Sequence, residues 1–149
     1  MENEKTPLYV AFSTQKGGVG KTTFTVLAAS YLYYLKGYDV VVVDCDYPQH
    51  SIAGMRKRDA EMVGEDEDYK RMAYEQFTRL GKKAYPVLCS SPEKAIATAD
   101  EYITAAANVP DIVFFDLPGT VNSEGVINSL SGMDYIFTPI AADKVVLES

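Results

Sequence analysis

Residues 11–24 read AFSTQKGGVGKTTF, which sets Gly17, Gly18 and Gly20 within four positions between Lys16 and Lys21. That pattern suits a phosphate cradle. Glycines let the backbone turn tightly and bring converging N–H groups close to an anion. The expected cofactor is a nucleotide with Mg2+, bound along Gly17, Gly18, Val19 and Gly20. Lys21 is expected to reach the β- and γ-phosphates, the Thr22 hydroxyl to face Mg2+, and Thr23 to bond the α-phosphate. Hydrolysis also needs carboxylates and an oriented water. Asp44 follows the apolar run VVVV, and Asp116 follows IVFF. An apolar strand that delivers an acid to the carboxyl edge of a parallel sheet is a metal-holding arrangement, so Asp116 is expected to hold Mg2+ through a water. Gly119 then leaves freedom for a loop that senses the γ-phosphate.

These groups need elements to aim them. Residues 8–13 (LYVAFS) form a short apolar run that predicts a buried strand leading into the glycine loop. From Lys21 the pattern is helical and closes at Gly37, a helix C-terminal glycine. That helix is apolar on most faces and is expected to be well buried. Residues 38–46 (YDVVVVDCD) read as a strand covered on both faces, as in a parallel sheet. Further strands are expected at 85–90, 111–116 and 135–140. Helices are expected from Pro92, from a cap at Asn122 or Ser123 through Leu130, and over the last seven residues. Strands alternating with helices predict an α/β fold, a mainly parallel sheet with helices on both faces.

Residues 51–83 interrupt that alternation. Tyr69, Met72, Ala73, Gln76, Phe77 and Leu80 recur at helical spacing and predict an amphipathic helix. Gly64 and the acidic run Glu65 to Asp68 are expected to break it from an earlier helix. Arg56, Lys57 and Arg58 make the one dense basic cluster, a candidate phosphate-backbone contact or a solvated face balanced by nearby acids. His50 reads as a polar surface residue. Tyr31, Tyr33 and Tyr34 read as core and rim packing.

At 149 residues, 47% of them apolar, the chain is expected to form one domain with a real core. A net charge of −7 argues against a domain-wide basic surface. The two cysteines, Cys45 and Cys89, form no CxxC pair, which fits a reducing cytosol. No stretch has the length of a spanning helix and the N-terminus lacks a signal-peptide core, so a cytoplasmic protein with no membrane anchor is expected.

The loop departs from the general phosphate-loop pattern, since Gln15 stands where its first glycine belongs. In that departure QKGGVGKTT resembles the deviant Walker A loop of the ParA/MinD family of ATPases. The resemblance extends to DCDYPQHS, similar to the family's DxDPQ motif with Tyr47 inserted, to the strand ending at Asp116, and to TPIAADKVVLES near the end. It implies a P-loop NTPase fold, ATP as the nucleotide, and ATP hydrolysis. It makes Lys16 a signature lysine that crosses a dimer interface to the partner's nucleotide, as an arginine finger would. It places Asp44 near Mg2+ and the attacking water, with Asp46 as a second acid and Gln49 displaced by Tyr47. Lys16, Lys21 and Asp44 are thus the expected catalytic set, and Thr22, Asp44 and Asp116 the expected metal set. Among family members the chain looks closest to partition-type proteins, including those of conjugative transposons. Family members are longer, so the resemblance also implies a C-terminally truncated, partial ATPase domain carrying a helical insert at 51–83.

Three functions stay open at this point. The first is an ATP-bridged homodimer that switches DNA partitioning or positioning, working with DNA and a DNA-bound adaptor protein. The second is the same engine with another output, such as MinD-like membrane positioning. The third is a nucleotide-binding module without turnover.

Overall fold

The computed structural model describes residues 5–12, 21–45, 50–81, 83–118 and 124–138. Five parallel strands form one sheet: β1 (Leu8–Phe12), β2 (Val40–Asp44), β3 (Val87–Cys89), β4 (Ile112–Asp116) and β5 (Tyr135–Phe137), in the order β3-β2-β4-β1-β5. The chain alternates these with α1 (Lys21–Ser30), α2 (Ser51–Glu65), α3 (Glu67–Leu80), α4 (Ala95–Ala105) and α5 (Glu124–Ser131).

Strand β2 shows why the sheet is two-faced. Successive side chains on a strand point to opposite faces. Val40 and Val42 join Val10, Phe114, Ala29 and Ile52 on the α1–α2 face. Val41 and Val43 join Ala11, Phe115, Ala95 and Ala99 on the α4 face. All four valines are buried, so an unbroken apolar run is what this central position requires. β2 is shorter than the strand expected at 38–46. Tyr38 and Asp39 precede β2 in a connection where the Asp39 N–H donates to Asp111 Oδ2 at 2.8 Å.

Helix α1 continues through a π-helical turn at Tyr31–Leu35 and stops at Gly37, whose φ of +77° is the left-handed value expected there. Its expected deep burial is not found. Thr25 and Ala29 face the sheet, but Phe24, Leu27, Tyr31 and Leu35 lie on the outer side and are about half exposed or more. A helix layered on one sheet has a single inward face, and apolar residues beyond that face have nothing in the described chain to cover them. Tyr33 and Tyr34 do pack, edge-on to each other at 4.9 Å and against Tyr85 at 5.6 and 6.1 Å.

The break between α2 and α3 falls in the acidic run, not at Gly64, which lies inside α2. Asp66 makes the break. Its backbone is extended and its Oδ1 accepts the N–H groups of Asp68 at 2.8 Å and Tyr69 at 3.3 Å, an N-cap for α3. Tyr69 and Met72 of the amphipathic stripe are exposed; the Phe77 and Leu80 side chains lie outside the described set. So do the expected cap at Asn122 or Ser123, Pro139 and Ile140 of the last strand, and the C-terminal helix. No helix among the described residues is long and apolar enough to cross a membrane.

Candidate functional site

The site lies at the carboxyl ends of β2 and β4 and at the start of α1. In-register pairing sets Phe12 beside Asp116 and Asp116 beside Asp44. Both carboxylates have no exposed surface. Buried charges require compensation by opposite charge and hydrogen bonds. Lys21, the first residue of α1, supplies the charge: its Nζ is 2.6 Å from Asp116 Oδ1. The Thr22 hydroxyl donates to Asp116 Oδ2 at 3.0 Å. One turn on, the Thr25 hydroxyl donates to the Lys21 carbonyl at 2.9 Å and steadies the first turn of the helix.

Burial pushes the Asp116 carboxyl above its ordinary range; Lys21 and the Thr22 hydroxyl pull it back down, and the Asp44 carboxylate adds to the rise. This acid is therefore held at a cost that a further cation would relieve.

Asp44 is held from the other side. Its Oδ2 accepts the N–H groups of Ile52 at 3.0 Å and Ala53 at 3.1 Å, so it caps the N-terminus of α2 from another element. Its carbonyl accepts the Ser90 N–H at 3.0 Å and lies 3.1 Å from His50 Nδ1. A carbonyl can only accept, so that contact puts the imidazole proton on Nδ1. The same Nδ1 lies 3.7 Å from Asp44 Oδ1.

Four of the expected site residues thus converge: Lys21, Thr22, Asp44 and Asp116. Thr23 is exposed on the first turn of α1 and takes no part in those contacts. Lys16, Gly17, Gly18, Val19, Gly20, Asp46, Tyr47, Gln49 and Gly119 lie outside the described residues. The expectation for His50 is corrected: it is mostly buried and turned toward Asp44. The basic cluster is divided as well. Arg56 donates to the Tyr85 carbonyl at 2.6 Å and stacks 4.8 Å over the Tyr85 ring, whereas Lys57 and Arg58 are exposed. The capping of α2 by Asp44 had one signal in the sequence, a helix beginning a few residues after a strand-end acid.

The donor chemistry fits a small hard cation. Among the described residues no group of three His, Cys, Asp or Glu side chains is placed to enclose a metal. Mg2+ commonly takes one or two carboxylates and completes its shell with waters and substrate phosphates. Asp44, Asp116 and the Thr22 hydroxyl supply oxygen donors of that kind.

Comparisons with known proteins agree with this architecture. A crystal structure of a plasmid partition protein from Borrelia burgdorferi superposes with a TM-score of 0.64 at 19% identity, covering 97% of this chain and 69% of that one. A B. burgdorferi B31 protein assigned to plasmid partition, bound to AMPPNP, superposes with a TM-score of 0.62 at 19% identity, covering 97% and 67%. At these identities the likeness is one of fold. In sequence, the chain is 36% identical over 85 residues to the uncharacterized protein BBD21 of Borreliella burgdorferi, a match spanning 56% of this chain and 34% of that relative's length. The model of the CobQ/CobB/MinD/ParA nucleotide-binding domain matches residues 10–140, and the chain, a parallel sheet with P-loop NTPase architecture, belongs to that family.

Proposed function

We propose that the chain is the nucleotide-binding part of a Mg2+-dependent ATPase whose ATP-bridged dimer switches the partitioning or positioning of DNA. The observation that carries this reading is the meeting of Lys21, Thr22 and Asp116 at the start of α1, with Asp44 in register beside them. Lys21 has a phosphate-seeking ammonium held at the mouth of the sheet. Lys21 would hold the phosphate oxygens of a bound nucleotide, and Asp116 with the Thr22 hydroxyl would hold the cation that accompanies it. Bound Mg2+ supplies neutralisation of phosphate charge. Asp44, fixed through Oδ2 by the start of α2, stands in register beside Asp116. Lys16 serves the partner's nucleotide, which ties turnover to dimerisation. The longer protein works with DNA and a DNA-bound adaptor, and its partition role follows the named function of the structural neighbours.

The test is ATP turnover and light scattering for wild type, Lys16→Ala and Asp44→Ala, with and without DNA. Wild type should form dimers with ATP and turn it over. Lys16→Ala should bind nucleotide but form no ATP-dependent dimer, and Asp44→Ala should bind without turnover. ATP-dependent dimers of Lys16→Ala would refute the trans-lysine role. Binding with background phosphate release under every condition would leave a binding module instead.

A further inference from the structure

We propose that the cavity at the amino-terminal edge of the sheet, between Tyr33 and Tyr102, binds the guanidinium of an arginine side chain carried on a peptide segment. It lies at the opposite edge from Lys21, Asp44 and Asp116, and the inference stands apart from the ATPase reading.

The cavity has a volume of about 340 Å3 and opens to solvent. Ligand sites usually enclose about 300–1,000 Å3. Its floor lies where β2 and β3 begin, at Asp39, Val40 and Pro86. Its walls come from the helical layers on the two faces of the sheet: Tyr33 from the π-helical turn after α1, and Tyr102 from α4. Tyr33 and Asp39 are fixed before any ligand arrives. The Tyr33 hydroxyl donates to the Lys83 carbonyl, and its ring packs edge-on against Tyr85 at 5.6 Å. The Asp39 carbonyl accepts the Asp111 N–H at 2.8 Å, and the Asp39 N–H donates to Asp111 Oδ2 at 2.8 Å.

Charge selects the ligand. Asp39 is exposed, and among the described residues its carboxylate takes part in no ion pair. Burial, and then this carboxylate, raise the Tyr33 phenol above its ordinary range, so the charge lies toward that wall. Arg56 acts on Tyr33 in the other sense, but its guanidinium is bound to the Tyr85 carbonyl. On the opposite wall α4 ends at Ala105 with no basic residue in its last turn, so no cation of its own meets the negative end of its dipole. An anionic rim beside aromatic side chains attracts a cation. Arginine answers both features, because its planar fork pairs with carboxylates and stacks on aromatic rings. The net charge of −7 favours a cationic partner at longer range. A carboxylate on the ligand would be repelled by Asp39 and by the end of α4, so a guanidinium on an uncharged peptide backbone suits the site better than free arginine.

The test titrates N-acetyl-L-arginine amide into the isotope-labelled protein and follows the backbone amides by NMR. The citrulline counterpart keeps the shape and loses the charge, and N-acetyl-L-arginine keeps the guanidinium and adds a carboxylate. The arginine amide should give saturable shifts at Asp39, Tyr102 and Ala106, the citrulline amide none, and N-acetyl-L-arginine weaker ones. Asp39→Asn should weaken binding about threefold with an unchanged thermal midpoint. Tyr102→Leu should weaken it by about the same factor. Should Tyr102→Leu fail to fold, Asp39→Asn decides. Equal shifts from the citrulline amide, or wild-type affinity in Asp39→Asn, would overturn the inference, as would shifts scattered over other acidic surfaces without saturation. Equal affinity for N-acetyl-L-arginine would overturn the preference for a peptide-borne group. ATP turnover is not the readout, so failure here leaves the ATPase reading untouched.

Discussion

Asp44 and Asp116 stand in register on the neighbouring parallel strands β2 and β4, both without exposed surface. Two like charges side by side in a buried place repel, and each needs its own source of compensation. The two sources differ. Asp116 is met by a cation and a hydroxyl from α1, and Asp44 by backbone N–H groups from α2. The edge of the sheet is thereby linked to the first turns of two helices, and a ligand that draws on either acid alters what holds a helix end.

Lys21→Ala should abolish nucleotide binding and also weaken the fold. Removing one partner of a buried ion pair leaves the other uncompensated, which costs about 3–5 kcal/mol in fully buried cases. Protonation relieves part of that penalty, because Asp116 is already pushed upward by burial. Urea unfolding at neutral pH should show a loss at or below the lower end of that range, and titration with a fluorescent ATP analogue should show no saturation. Wild-type affinity in this variant would remove Lys21 from the phosphate site.

Asp111 governs an acid-sensitive clamp at the opposite edge of the sheet. The Lys5 Nζ is 2.8 Å from its Oδ1, and the Asp39 N–H donates to its Oδ2 at 2.8 Å. The hydrogen bond from Lys5, and then the one from the Asp39 backbone, hold its carboxyl below the ordinary aspartate range. A depressed folded value means the unfolded chain takes up its proton first as pH falls. The clamp therefore contributes fully above the ordinary aspartate value and is lost as pH drops through the lower folded value. Asp111→Asn should lower stability at pH 7 by about 1 kcal/mol, the scale of a solvent-screened pair. In strong acid the two proteins should unfold at the same urea concentration. A gap that persists there would show that the clamp does not act through charge.

The strands and their acids were legible because each rests on local pattern. Val40 to Val43 can be satisfied only between two covered faces, and such a strand carries the acid after it to the carboxyl edge. The start of α1 was equally plain from the glycines and Lys21. Features that join distant elements were not. Asp44 reads as a strand-end acid, and the one hint that its Oδ2 also caps α2 is that a helix begins a few residues later. His50 reads as a loop histidine until its backbone conformation and its distance from Asp44 are known. The outward residues Phe24, Leu27, Tyr31 and Leu35 suggested burial because hydrophobicity records what a residue prefers, not whether a neighbouring layer exists to receive it. Gly64 looked like a helix breaker, yet a single glycine costs only about 1 kcal/mol in a helix. Asp66, which can cap the next helix, marks the boundary instead.

Arg56 should matter to stability and its neighbours should not. Its guanidinium bonds the Tyr85 carbonyl and covers the Tyr85 ring, tying α2 to the segment that leads into β3. Arg56→Ala loses a charge-assisted hydrogen bond and a cation–π contact, together about 2 kcal/mol. Lys57→Glu and Arg58→Glu alter exposed residues and should change stability by about 0.5 kcal/mol or less. If the cluster contacts DNA, those two reversals should weaken DNA binding in a gel-shift titration at constant salt. Unchanged binding would leave the cluster a solvated face with one structural arginine.

Strand β5 should make the chain self-associate without nucleotide. Among the described residues it pairs only with β1, and Tyr135, Ile136 and Phe137 are each about half exposed. An unpaired apolar strand edge is a template for another chain, and the outer apolar stripe of α1 adds further adhesive surface. Phe137 already stacks on Phe12 at 5.7 Å, so Ile136 is the position to alter without disturbing that contact. Ile136→Lys puts a charge on the edge at a cost of about 0.5 kcal/mol or less to the fold. Light scattering across a concentration series without ATP should show wild-type association, and the substitution should shift it toward monomer. Association through Lys16 should instead require ATP and survive Ile136→Lys. A wild type that stays monomeric at every concentration without ATP would show that this edge does not drive pairing.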